Sequence, residues 1–190
     1  CIRDSYISSE SEGGFSFTIK TNSMKILLVS LAITFAAATR AQSTPEATIK
    51  QLGLQLPPIS QPIANYVKYV RTGNLIFLAG HGPTRADGSS ITGKLGRDLT
   101  IEEGYEAAQV TALSLLATLK DALGELSRIK RIVKVNGYVN CLPEFTDHPK
   151  VINGCSDLLV KVLGEKGKHA RAAMGMVALP SNIAVEIEMV

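Results

Sequence analysis

The alternation and spacing of apolar positions set out a sequence of elements from residue 66 onward. Tyr66-Val67-Lys68-Tyr69-Val70-Arg71 alternates with period two, and Leu75 to Ala79 is an apolar run. Thr72-Gly73-Asn74 between them predicts a β-hairpin. Gly80-His81-Gly82-Pro83 ends the second strand, and residues 84–99, with Asp87-Gly88, Gly93 and Gly96, read as a loop or minor hairpin. Thr100-Ile101-Glu102-Glu103 has the form of a capping box, with Thr100 as N-cap and Glu103 three residues on. The helix it opens carries Tyr105, Ala108, Ala112, Leu115, Leu116, Leu119 and Leu123 at three-four spacing, and Gly124 closes it. Ile129 to Val139 is rich in β-branched residues and predicts a strand. Asp147-His148-Pro149 leads into a second helix over Val151 to Leu163. Two strands follow, Ala170 to Leu179 and Ile183 to Met189, joined by Pro180-Ser181-Asn182. The order ββαβαββ predicts an α+β fold with both helices on one face of a mixed sheet.

Upstream the pattern changes. Residues 42–62 are weakly periodic and form a lead-in with one short helix over Pro45 to Leu52. The first Met is Met24, and the polar, aperiodic residues 1–23 are set aside from the fold. From Met24 to Ala41 the chain reads as a secretory signal peptide. Lys25 is its positive region, Ile26 to Ala38 are 13 apolar-rich residues, and Thr39-Arg40-Ala41 supplies small residues at the cleavage positions. At about 1.5 Å per residue, that run falls short of a hydrocarbon core about 30 Å thick, so no permanent membrane span is expected. The alternative is an uncleaved N-terminal anchor. The expected address is periplasmic or secreted, and one domain occupies residues 63–190.

Composition agrees with a single globular domain: 45% hydrophobic and 19% charged residues in 190. Beyond Ala41 the balance is 16 basic to 14 acidic residues, too even to indicate a polyanion partner. Trp is absent and no aromatic cluster accompanies basic residues, so no nucleic-acid partner is expected. Cys141 and Cys155 remain in that region. An exported compartment permits a bridge between them, and two buried thiols are the plainer reading.

Few motifs carry chemistry. Gly88-Ser89-Ser90-Ile91-Thr92-Gly93-Lys94 matches seven places of a phosphate-binding loop, but Leu95 stands where a hydroxyl would hold Mg²⁺. A Gly-rich hairpin is the better reading. His81, His148 and His169 are not at ligand spacing, so no metal is expected. Neither cysteine is expected to have a neighbouring His or cationic cluster to favour a thiolate. Near the end of the chain, Arg171, Ala173 and Gly175 share one strand face, where a guanidinium beside small residues suits a small carboxylate. Val185, Ile187 and Met189 face one way and Glu186 and Glu188 the other, which also describes an ordinary solvated face.

The run Arg171-x7-Leu179-Pro180-x5-Glu186-Ile187-Glu188 resembles the C-terminal signature of the Rid/YjgF family of imine/enamine deaminases, historically also labelled L-PSP endoribonucleases. Tyr66-Val67 and Gly73-Asn74-Leu75-Ile76-Phe77-Leu78-Ala79-Gly80-His81-Gly82-Pro83 resemble its first strand pair, and the similarity covers residues 60–190. The resemblance implies a chorismate-mutase-like fold and a homotrimer with clefts between subunits. It implies hydrolysis of 2-imino acids, in equilibrium with their enamines, to 2-keto acids and ammonia, with no cofactor. It places Arg171 on the substrate carboxylate and Glu186 on the hydrolytic water. Tyr66, Gly80, His81, Asn153 and Ala173 are then the substrate-lining positions. His81 replaces a common Gln and Ala173 a common Cys, and the Asp147 to Lys150 region is longer, which marks a divergent subgroup. An imine is already electrophilic, so positioning and proton transfer suffice. The alternative is a non-catalytic trimeric protein of the same fold that binds small carboxylates through Arg171.

Overall fold

A computed structural model describes residues 43–59, 61, 62 and 64–190 of the chain. The segments assigned above to residues 1–23 and 24–41 lie outside the described residues. The elements are α1 (Pro45–Gln51), β1 (Tyr69–Thr72), β2 (Leu75–His81), α2 (Ile101–Leu123), β3 (Lys134–Asn140), α3 (His148–Leu163), β4 (Ala170–Met176) and β5 (Val185–Met189). One sheet of order β1-β2-β5-β3-β4 joins all five strands. Only β3 and β4 run parallel, and α3 makes the crossover that a parallel pair requires. Both long helices lie on one face of the sheet, as the hydrophobic pattern predicts.

Local chemistry sets the helix ends. Thr100 Oγ1 accepts from Glu103 N at 3.2 Å, while Glu103 Oε2 accepts from Thr100 N at 2.8 Å. From this cap α2 runs 23 residues and buries Leu115 and Leu116 completely. The lead-in is part of the same folded unit, because Ile49 of α1 is buried in the core. Glu46 Oε1 also accepts from Leu126 N at 2.8 Å.

Strand limits differ from the sequence pattern where pairing partners run out. β1 starts at Tyr69, opposite Leu78, and leaves Tyr66 and Val67 exposed ahead of the ladder. β3 starts at Lys134, because Ile129 and Ile132 fill the end of the core from irregular backbone rather than from a ladder. β4 stops at Met176, where its partner β3 stops at Asn140. The Gly88 to Lys94 stretch is a bridged loop rather than a phosphate cradle. Lys94 Nζ donates to Asn140 Oδ1 at 2.8 Å and to the carbonyl of Val177, and the next residue, Leu95, is fully buried. No helix among the described residues is long and apolar enough to cross a membrane.

The two long helices meet at Gly154. A Cβ there would lie 2.0 Å from the carbonyl oxygen of Tyr105 and 3.2 Å from Ala108 Cβ. Gly154→Ala forces the helices apart, at about 3 kcal/mol for overpacking against backbone, offset by about 1 kcal/mol of helix propensity. A net loss of roughly 2 kcal/mol is expected in urea unfolding, with an unchanged m-value.

Candidate active site

Arg171 sits on the edge strand β4 with its side chain toward α3. Its Nη1 donates to Asn153 Oδ1 at 2.8 Å and to Ser156 Oγ at 3.0 Å. Both hydrogens of Nη1 are thereby used. The Nε and Nη2 donors remain for a ligand, and no carboxylate pairs with the guanidinium among the described residues. Ala173, two residues along, has the same facing and packs against the core. Arg171, Asn153 and Ala173 therefore lie together on the helical side of β4.

Glu186 is on the other side of the sheet. Val185, Ile187 and Met189 of β5 are buried toward the helices, so Glu186 and Glu188 project from the open face. Glu188 Oε1 accepts from Asn136 Nδ2 at 2.9 Å and from Tyr138 OH at 3.0 Å. Glu186 makes no side-chain hydrogen bond among the described residues. Partial burial, then the charge of Glu188, raises its carboxyl above the ordinary carboxylate value. Gly80 provides its space, because a Cβ there would lie 2.1 Å from Glu186 Oε1. Phe77, Met174 and Met176 lie on this open face, each more than a third exposed.

The candidate residues thus separate into two groups. Arg171, Asn153 and Ala173 form one, and Glu186 and Gly80 the other, on opposite faces of one sheet. Tyr66 lies ahead of β1, at the opposite edge from β4, and is 45% exposed.

His81 departs from the expected substrate-lining position. A register shift between Leu78 and His81 turns its ring under α2, where it is 6% exposed. Its Nε2 lies 2.8 Å from Thr118 Oγ1 and its Nδ1 2.7 Å from Ala79 O. This ring ties the sheet to the helix.

Two arrangements escape the sequence pattern. Cys141 Sγ lies 3.5 Å from His148 Nε2, over Gly175, which corrects the expectation that neither cysteine has an imidazole neighbour. Burial still pushes the Cys141 thiol up. Cys155 is a separate buried thiol. Ser156 Oγ lies 3.0 Å from His169 Nε2, and His169 Nδ1 lies 2.6 Å from Gly167 O. The loop Leu142–Asp147 and the turn Gly164–Gly167 bring these partners together, and neither contact follows a helical or strand period. No group of three or more His, Cys, Asp or Glu able to hold a metal occurs among the described residues.

An α+β sheet with an arginine on its edge strand and a free glutamate on its open face defines the class. The chain belongs to the YjgF (Rid) family. Residues 46–188 match the family model described as YjgF/chorismate mutase-like, with endoribonuclease as its provisional activity. Protein TCP17 of Trypanosoma cruzi is 43% identical over 143 residues, which cover 75% of this chain and 89% of that protein. The 2-iminobutanoate/2-iminopropanoate deaminase of Dermatophagoides farinae is 28% identical over 138 residues, 72% of this chain and 92% of the relative. The crystal structure of Atu1372 from Agrobacterium tumefaciens, a protein of unknown function, is 43% identical with a TM-score of 0.71. That match covers 77% of this chain and 89% of that one.

Burial lowers the His81 imidazole below its ordinary value. The unfolded chain therefore takes up a proton near pH 6.5 that the folded state resists. Stability from this group is complete above pH 6.5 and is lost as pH falls through the folded value. Urea midpoints are expected to drop between pH 7.5 and 5.5, and to drop less in His81→Gln.

Proposed function

We propose that the protein hydrolyses small 2-imino acids, and their enamine tautomers, to 2-keto acids and ammonia. The single observation that carries this reading is the pair of uncommitted groups. A guanidinium fork is braced at Nη1 and free elsewhere, and an accessible carboxylate has a raised proton affinity. The fork suits a substrate carboxylate, and the second group suits the water that attacks C2. The Dermatophagoides farinae relative, a 2-iminobutanoate/2-iminopropanoate deaminase, is named for an activity of this kind.

Because the two groups occupy opposite faces of one sheet, each cleft takes Arg171 from one subunit and Glu186 from another. A homotrimer supplies such clefts and covers the apolar side chains Phe77, Met174 and Met176. In this reaction the imine carboxylate rests on Arg171. Water adds to C2 as Glu186 accepts its proton, and the resulting carbinolamine loses ammonia.

With enzymatically generated 2-aminoacrylate, pyruvate and ammonia release is expected to exceed the uncatalysed rate. Arg171→Ala is expected to remove that excess, and Glu186→Gln to reduce it about a hundredfold. Co-refolding the two variants rebuilds clefts with both native groups, so partial recovery of activity is expected. No recovery would refute shared clefts. The raised carboxyl of Glu186 means that folding disfavours its charged form, so Glu186→Gln is also expected to unfold at higher urea than wild type at pH 7. A non-catalytic carboxylate-binding protein is the reading to adopt if 2-oxobutanoate binds equally to wild type and Glu186→Gln and neither turns over substrate.

A further inference from the structure

We propose that Ser156 and His169 form a proton relay that opens beside Arg171 and supplies the proton needed by the departing ammonia. The proposal rests on the deaminase reading and adds to it the acid that Arg171 cannot be.

The wiring follows from which atoms can donate. Gly167 O only accepts, so His169 Nδ1, 2.6 Å away, carries a hydrogen. In the neutral ring Nε2 then has a bare lone pair, and Ser156 O–H donates to it across 3.0 Å. The hydroxyl oxygen accepts in turn from Arg171 Nη1 at 3.0 Å. Every hydrogen in the chain from Arg171 to Gly167 thus points the same way. Protonation of His169 reverses one link. Nε2–H then donates to Ser156 Oγ, whose lone pairs are now filled by His169 and Arg171. The hydroxyl hydrogen is left to point into the space beside the guanidinium, where the substrate carboxylate is held.

Over the reaction the C2–O bond forms and the C2–N bond breaks. Water gives up two protons and nitrogen takes up two. Glu186 passes the first water proton on to nitrogen and then takes the second from the carbinolamine hydroxyl. In the proposed relay, nitrogen takes its other proton from Ser156 O–H as Ser156 takes one from His169 Nε2. Solvent then reprotonates His169 and removes the proton from Glu186. Burial, then the backbone carbonyl and the Arg171 charge, act on His169 with a net lowering of its proton affinity. Lys134 on β3 stands opposite Ala170 in the register, and the α3 thiol Cys155, pushed up to about 12 by burial, stays uncharged. The acid form is therefore strong and is populated as pH falls below 6.5.

The test is the pH dependence of deamination above the uncatalysed rate. In wild type, kcat is expected to rise as pH falls from 7.5 toward 5.5. His169→Gln keeps a hydrogen-bonding amide without a titrating group. It is expected to abolish that rise and lower kcat at least about tenfold at pH 6, with KM within about twofold because Asn153 still braces Arg171. Ser156→Ala is expected to behave alike, and the double variant no worse than either single one. An unchanged pH profile in His169→Gln, or a raised KM with unchanged kcat, would overturn the relay and leave only a brace for Arg171. Imidazole ¹⁵N spectra of wild type separate this from the deaminase reading. A neutral His169 protonated on Nδ1, with a pKa that rises when 2-oxobutanoate is added, supports the relay even without turnover. An Nε2-protonated ring, or a pKa that does not respond, overturns it.

Discussion

The two-residue period of β5 is the constraint on which the rest of the molecule depends. Five residues, Val185–Met189, pair with β2 on one side and β3 on the other. Without them the β1–β2 hairpin and the parallel β3–β4 pair share no ladder. The same alternation divides the chemistry from the core. Val185, Ile187 and Met189 are at most 2% exposed under the helices, so Glu186 and Glu188 have only the open face to occupy. A one-residue slip would bury two carboxylates and expose the core side chains, an exchange no stable register tolerates. Gly80 on the neighbouring strand belongs to this constraint, since its missing side chain is the space Glu186 fills.

On the far side of β3, the parallel strand β4 faces a different requirement. One edge pairs with β3 and the other has no partner strand among the described residues. Its helix-facing side must carry a charged residue without burying it. Arg171 meets this by leaning against the polar surface of α3, where Asn153 and Ser156 accept from Nη1. The guanidinium is therefore oriented before any ligand arrives, and ordering it on binding costs little entropy. An unpaired strand edge and an open sheet face with exposed Phe77, Met174 and Met176 are features a lone chain retains poorly. In the proposed assembly these surfaces and the split between Arg171 and Glu186 have one common explanation.

Much of this was legible in the residues, for definite reasons. The capping box at Thr100 and the three-four spacing through Leu123 are local signals, and local geometry answered them. The facings of Arg171 and Ala173, and of Glu186, needed only the strand period. Strand limits were less legible because they depend on partners distant in sequence. Ile129 and Ile132 have strand-forming side chains, yet they fill the core end where neither β4 nor β5 offers a ladder. The setting of His81 was not legible, because an open strand end beside glycine gives no hint of a register shift that turns the ring under α2. The Cys141–His148 and Ser156–His169 contacts had no periodic trace, since each spans a loop or turn whose course is set by packing. For the same reason sequence spacing could associate Arg171 with Glu186 without showing that one chain holds them apart.

The proton affinities of the proposed cleft share one physical origin. An ordinary glutamate and an ordinary histidine differ by about two units, with the carboxylate a weak base. Here burial acts on both groups in opposite senses, raising Glu186 and lowering His169. Desolvation penalises whichever form is charged, so one physical cause draws an acid and a base toward each other. Groups brought closer in this way exchange protons with a reacting centre at a smaller free-energy difference in each direction. An imine supplies its own electrophilic carbon, so what remains is to hold its carboxylate, accept a proton from water and return one to nitrogen. Arg171 is suited to the first task and Glu186 to the second. The buried side of β4, through Ser156 and His169, is where the third finds its group.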